Sequence, residues 1–165
     1  MNVHLAKLRK PLTREGHAKL VDEHKKLLLV DRPKVVDGIT IAAAEGDRSE
    51  NAEYIYGKKR LREIDRRLRY LTTLIKDAQL IDPKQIRSES VCFGASVQVE
   101  DEDGIEKTWT IVGEGETGFW ANSVSWKSPV AKALFGKKVG DEVEVDRPAG
   151  VMSLIIRGIR YGSES

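Results

Sequence analysis

The chain has 165 residues, 40% of them hydrophobic and 33% charged, which is enough apolar content to fold as one domain or two small ones and excludes a disordered tail. Its longest purely apolar runs, residues 27–30 and 41–44, hold four residues each, against the roughly 20 that span a bilayer, so no membrane association is expected. The net charge of +2 divides unevenly: residues 1–80 carry 18 basic and 12 acidic side chains, residues 81–165 carry 10 and 14, and such a split points to two units with different partners. Cys92 is the only cysteine and no apolar stretch follows Lys7, Arg9 and Lys10, so a cytoplasmic protein without a signal peptide is expected.

Residues 13–78 read as helical. Thr13 follows Pro11 and suits an N-cap. Leu20, Leu27 and Val30 fall on one face, and Val36, Ile39 and Ala43 continue the stripe past Pro33, where a kink or a fresh helical start is expected. Further on, Leu61, Ile64, Leu68, Leu71, Ile75 and Ala78 repeat at alternating spacings of three and four, a heptad seam that requires a partner stripe. The first helix is the only candidate nearby, so the pattern predicts an antiparallel helical hairpin over 1–82 that turns near residues 46–51. Each arm then runs roughly 40 to 48 Å at ~1.5 Å per residue, and its tip projects far from its anchor.

After Asp82-Pro83 the period becomes two. Ala95, Val97 and Val99 alternate with polar neighbours, as do Trp109 and Ile111, Val143 and Val145, and Ile159 and Tyr161. Turn residues at 101–104, 113–118, 140–141 and 148–150 separate these runs. Ser128-Pro129 opens a short helix over 130–135, with Ser128 as cap. The expected class is α+β: a linker at 83–89, then an antiparallel sheet packed on one short helix over 90–165.

Two stretches point to chemistry. Glu45, Asp47, Glu50 and Glu53 put four carboxylates within nine residues at the hairpin turn, and hard oxygen ligands of that kind suit Mg²⁺. The competing reading is that Asp47 or Ser49 caps the second helix, with Glu50 and Glu53 favouring its positive end. The second stretch, Lys58, Lys59, Arg60, Arg62, Arg66, Arg67 and Arg69, is diluted only by Glu63 and Asp65, and Lys59, Arg62, Arg66 and Arg69 lie opposite the seam. Such a stripe fits a nucleic-acid backbone or an acidic protein channel; a solvated face with scattered ion pairs is the alternative. A third stretch, Gly113-Glu114-Gly115-Glu116-Thr117-Gly118, satisfies G-x-G-x-x-G, but no helical pattern follows and two glutamates would repel phosphate, so a hairpin turn is expected. His4, His17 and His24 lack metal-ligand spacing. Cys92 beside Phe93, and the tryptophans Trp109, Trp120 and Trp126 on or near strands, read as packing groups.

Together these residues resemble a family. Gly46-Asp47-Arg48-Ser49-Glu50-Asn51-Ala52-Glu53-Tyr54, followed by Lys58-Lys59-Arg60-Leu61-Arg62-Glu63-Ile64-Asp65-Arg66-Arg67, is similar to the tip and second helix of the bacterial Gre transcript-cleavage factors, nearer their B-type than their A-type. The likeness continues through Phe93-Gly94-Ala95, Ile111-Val112-Gly113, Ser128-Pro129-Val130-Ala131, Gly136-Lys137, Gly140-Asp141 and Pro148-Ala149-Gly150. The resemblance implies a coiled-coil hairpin, a C-terminal domain like the FK506-binding proteins, and bacterial RNA polymerase as partner. It implies an accessory factor rather than an enzyme. Inserted into the polymerase's secondary channel, the hairpin promotes hydrolysis of the backtracked RNA 3′ end by the polymerase's own active site. Asp47 and Glu50 match the family's acids that hold a shared Mg²⁺ and position water, a role suited to two-metal hydrolysis. The basic stripe would contact the nascent RNA, and Lys127, Ser128 and Pro129 correspond to the docking segment, where the family usually has an acidic or amide residue at the position of Lys127. A channel regulator that inhibits without cleavage, and a prolyl isomerase judged on fold alone, are the other readings. A monomer is expected, with self-association through the hairpin as the alternative.

Overall fold

The computed structural model of the protein describes residues 7–46 and 50–162. Two compact units are present: residues 18–76 form one, and the described residues through His17 join those from Asp77 onward in the other.

The first unit is the helical hairpin. Helix α1 (Arg14–Lys26) passes through a π-helical turn (Leu27–Asp31) into α2 (Arg32–Ala44), and α3 (Ala52–Ile75) returns alongside. Pro33 has no N–H to give and its ring would crowd the carbonyl one turn back. The backbone responds by widening: the Arg32 N–H reaches five residues back to Leu27 O, and α2 starts with Pro33 in its first turn. The fresh start expected at Pro33 is not made: Lys26, Asp31 and Arg32 all stay right-handed helical and no side chain caps α2, so the π turn carries the helix past the proline. Its cost is a change of phase, because a wide turn holds an extra residue. Leu20 and Leu27 are buried as expected, but Val30 is 56% exposed and Leu28 and Leu29 are exposed with it.

On the returning arm Ile64 and Leu71 are fully buried and Leu61, Leu68 and Ile75 half-buried, so the heptad seam is real. Leu74 joins it. Ala78 does not, since α3 ends at Ile75 and Asp77 adopts a left-handed φ of 57°. Ion pairs tie the arms together in antiparallel order: Arg32 Nε meets Asp65 Oδ1 at 2.8 Å, and Arg67 Nε meets Glu23 Oε2 at 2.6 Å. The Arg32 hydrogen bond holds the Asp65 carboxyl below the usual range.

The second unit begins with β1 (Pro11–Thr13), which pairs in parallel with β2 (Gln79–Ile81), so the segments entering and leaving the hairpin lie side by side. Asp82 caps a 3₁₀ turn (Pro83–Gln85). Strands β3 (Ala95–Asp101), β4 (Glu106–Val112), β5 (Ser123–Ser125), β6 (Glu142–Arg147) and β7 (Gly150–Tyr161) form one sheet in the order β5-β4-β3-β7-β6. The alternation expected of Val97, Val99, Ile111, Val143 and Val145 places all five in the core. Helix α4 (Pro129–Leu134) covers that core with Ala131 and Leu134, and Ser128 Oγ accepts the Ala131 N–H at 3.2 Å, the cap expected of it.

The four longer strands pair antiparallel, whereas β5 pairs parallel with β4. Residues 113–122 are thus an excursion between parallel strands, not the hairpin turn expected of Gly113–Gly118, because a parallel neighbour cannot be reached by a tight turn. Cys92 is buried in the loop before β3, not on a strand. Trp109, Trp120 and Trp126 are half-buried, the first on β4 and the others in turns.

The excursion carries the least expected side chain in the protein. Glu116 has no exposed surface. Its carboxylate accepts the Thr13 N–H at 3.1 and 3.2 Å, the Thr13 hydroxyl, and the Gly113 N–H. Thr13 Oγ1 in turn accepts the Gly16 N–H at 3.0 Å, the N-cap of α1 expected from the sequence. Burial pushes the Glu116 carboxyl above the ordinary glutamate range, the hydrogen bonds from Thr13 and Gly113 oppose the shift, and Glu15 adds to it. A folded protein with that raised value binds a proton more readily than the unfolded chain. The associated stability is fully present below the ordinary glutamate value and is lost as pH rises through the folded one. Thermal melts from roughly pH 4 to pH 7 are expected to show the advantage of wild type over Glu116→Gln shrinking as pH increases. A constant difference would contradict the shift.

Candidate functional site at the hairpin tip

Helix α2 closes at Glu45, whose N–H donates to Ala42 O at 3.2 Å. The chain resumes at Glu50, and α3 starts after Asn51. Asn51 Oδ1 accepts the Tyr54 N–H at 3.1 Å, and its Nδ2 donates to Ala42 O at 2.6 Å. One side chain therefore caps the returning helix and fastens it to the end of the outgoing one. The cap expected of Asp47 or Ser49 is made by Asn51 instead. Asparagine is among the strongest N-caps, and its amide N–H supplies the carbonyl across the turn with a donor that a carboxylate in the same role lacks. Its position immediately before the first helical residue was the available signal.

Asp47, with Arg48 and Ser49, lies outside the described residues. Glu50 is exposed, as are Glu45 and Glu53. Asn51 does the capping, and among the described residues the Glu50 carboxylate, one residue before that cap, has no hydrogen-bond or ion-pair partner; Glu53 lies in the first turn of α3. Among the described residues no group of three or more histidine, cysteine, aspartate or glutamate side chains could hold a metal by itself. The tip can contribute oxygen donors to a cation that other groups share; its described residues do not form a closed cage.

The basic stripe divides in two. Lys58, Lys59, Arg62, Arg66 and Arg69 are exposed on α3. Among the described residues no ion pair within 4.0 Å forms on Lys58, Lys59, Arg62 or Arg66, and Arg69 lies within the electrostatic reach of Asp65. Arg60 is half-buried and pairs with Glu63 at 3.7 Å. Arg67 is bound on both sides: Glu23 accepts two of its hydrogen bonds, and its guanidinium lies 5.4 Å from the centre of the Tyr70 ring. The stripe is thus a mostly uncompensated row of positive charge with Arg67 committed to holding the arms together.

In the sheet unit, Lys127 is exposed, with Nζ 3.3 Å from Glu114 Oε2 and 5.5 Å from the centre of the Trp126 ring. Ser128 is occupied as the cap of α4, and Pro129 is exposed.

Residues 10–80 match the family model described as the N-terminal domain of GreA/GreB transcription elongation factors, and residues 86–161 match the corresponding C-terminal domain. The transcription elongation factor GreB of Haemophilus influenzae is 48% identical over 150 residues, covering 91% of this chain and 95% of that protein. GreB of Pasteurella multocida is 49% identical over the same length and coverage. The solved structure of GreA factor homolog 1 of Thermus thermophilus overlaps 91% of this chain and 97% of its own at 20% identity, with a TM-score of 0.42.

Proposed function

The chain belongs to the GreA/GreB family of transcription elongation factors, and from that premise we propose that it restarts bacterial RNA polymerase halted by backtracking. In this reading the hairpin enters the secondary channel and its tip acids stimulate the polymerase's own hydrolysis of the extruded RNA 3′ end. The observation that supports the reading is the exposed Glu50 carboxylate, which has no partner among the described residues while Asn51 caps α3.

Mg²⁺ supplies charge neutralisation and water activation in such a hydrolysis. The tip fits that ion in part: Glu50 offers one accessible carboxylate and Asp47 would add another, while Mg²⁺ demands six oxygens in near-octahedral array. The protein's contribution is therefore to bring Asp47 and Glu50 to a shared ion and to orient water, with no site of its own that binds Mg²⁺ tightly. Lys58, Lys59, Arg62, Arg66 and Arg69 would track the RNA backbone, so crosslinking of RNA to α3 should weaken as salt is raised. Arg60 and Arg67 contribute less to that contact, being paired already. Lys127, Ser128 and Pro129 would face the channel rim.

Purified stalled elongation complexes carrying end-labelled RNA test the proposal. RNA is expected to shorten when the protein is added, and to stay intact when the protein meets free RNA without polymerase. Inhibition of synthesis without shortening would favour the regulator that plugs the channel.

A further inference from the structure

Glu116 plays no part in the tip chemistry, yet it is a fully buried acid whose described partners come almost entirely from the segment that leads into the hairpin. Three features make this a built joint. The carboxylate binds both the N–H and the hydroxyl of Thr13, and that hydroxyl also caps the first turn of α1 through Gly16. Gly16 and Gly113 leave it no slack: a Cβ on Gly16 would lie 1.6 Å from Glu116 Oε1, and one on Gly113 would lie 2.5 Å from Oε2. The Gly113 N–H completes the set from within the excursion, so Thr13 and the excursion after β4 are locked to one carboxylate. Helix α1 starts in this lock and runs on without a break beyond His17 into the hairpin.

We infer that Glu116 is a positioning residue for transcript cleavage: through Thr13 it fixes the first turn of α1, the root from which the hairpin's first helix starts. The inference rests on the function proposed above. Delivering a carboxylate to a shared ion is sensitive to small misplacements, so a loosened root lowers the rate at the tip even when docking is intact. Glu116→Gln keeps the shape but sets an amide donor against the Gly113 N–H or the Thr13 donors. Thr13→Val removes the hydroxyl, and Thr13→Ser restores it.

The test titrates each full-length variant against stalled complexes and separates the saturating cleavage rate from the half-saturating concentration. Folding at the assay temperature is checked first by circular dichroism. Glu116→Gln and Thr13→Val are expected to lower the saturating rate about tenfold with little change in half-saturation, and Thr13→Ser to match wild type. A readout independent of activity is the distance distribution between spin labels at Arg14→Cys and Lys107→Cys on a Cys92→Ala background, which should broaden with Glu116→Gln. Folded Glu116→Gln with a wild-type saturating rate, or with an unchanged distribution, overturns the inference. If Glu116→Gln does not fold, the contrast between Thr13→Val and Thr13→Ser decides in the same two assays. Failure of wild type itself to promote cleavage removes the proposed function, and the label widths still decide whether Glu116 restrains the root.

Discussion

Asp47→Asn/Glu50→Gln is expected to leave the protein bound to a stalled polymerase while cutting stimulated RNA cleavage by about 100-fold. The size follows from what the substitutions remove. Each amide keeps the volume and the neutral oxygen of its acid, so the fold at the tip has no reason to change: the helix start depends on Asn51, which is untouched. What disappears is formal negative charge. An amide oxygen is a far weaker donor to a divalent cation than a carboxylate, and it is a poor acceptor for a proton leaving water. The residues proposed above for docking, in the sheet unit, and for RNA contact, on the basic face of α3, are untouched. The measurement is a labelled-RNA cleavage time course at saturating factor, with polymerase binding followed in parallel. Equal cleavage by the double variant and wild type would take both acids out of the mechanism. Loss of binding along with cleavage would show that the tip serves as an anchor.

The parts of this fold that were legible in the sequence are those governed by a local period. The seam through Ile64 and Leu71 needed only a heptad count, and the burial of Val97, Val99, Val143 and Val145 only alternation. The Ser128 cap of α4 and the Thr13 cap of α1 followed from single residues in the right place. Three features escaped because each depends on something distant or on a competition. The outward turn of Val30 required knowing that the chain would absorb Pro33 by a π turn rather than a kink. The capping role of Asn51 was one of three local options, and the carbonyl of Ala42 nine residues away decided among them. Glu116 reads only as one of two acids in an expected hairpin turn, and its partner Thr13 is 103 residues distant. Of the two candidate tip acids, Glu50 is exposed and Asp47 lies outside the described residues.

The motif around Glu116 makes the sharpest demand on stability. In Gly113-x-Gly115-x-x-Gly118 the glycines are not equally required, and alanine substitution should separate Gly113 from Gly118, with Gly16 on the facing turn of α1 between them. A Cβ on Gly113 would lie 2.3 Å from the backbone carbonyl oxygen of Pro11, 2.5 Å from Glu116 Oε2 and 2.7 Å from Leu12 Cδ2. Backbone cannot swing aside as a flexible side-chain end can, so Gly113→Ala must push β1 from its place and break the hydrogen bonds to Glu116. Overpacking of a tight site and orphaning of a buried carboxylate each cost of order 1–3 kcal/mol, so a loss of about 4 kcal/mol is expected. That is a large share of the ~5–15 kcal/mol that holds a domain folded. Gly16→Ala also drives a Cβ into the pinned Glu116 side chain, but it meets no backbone and recovers about 1 kcal/mol of helix propensity in α1, so it should cost less than Gly113→Ala. Gly118→Ala meets nothing within 4 Å and should fall within about 0.5 kcal/mol of wild type. All three tryptophans lie in the sheet unit, so denaturant unfolding followed by tryptophan fluorescence reports the relevant transition without interference from the hairpin. The expected order of midpoints is Gly118→Ala near wild type, Gly16→Ala lower and Gly113→Ala lowest. A Gly113→Ala variant as stable as Gly118→Ala would mean that Pro11 and Glu116 do not press on this glycine in solution, and the joint at the root of α1 would lose its basis.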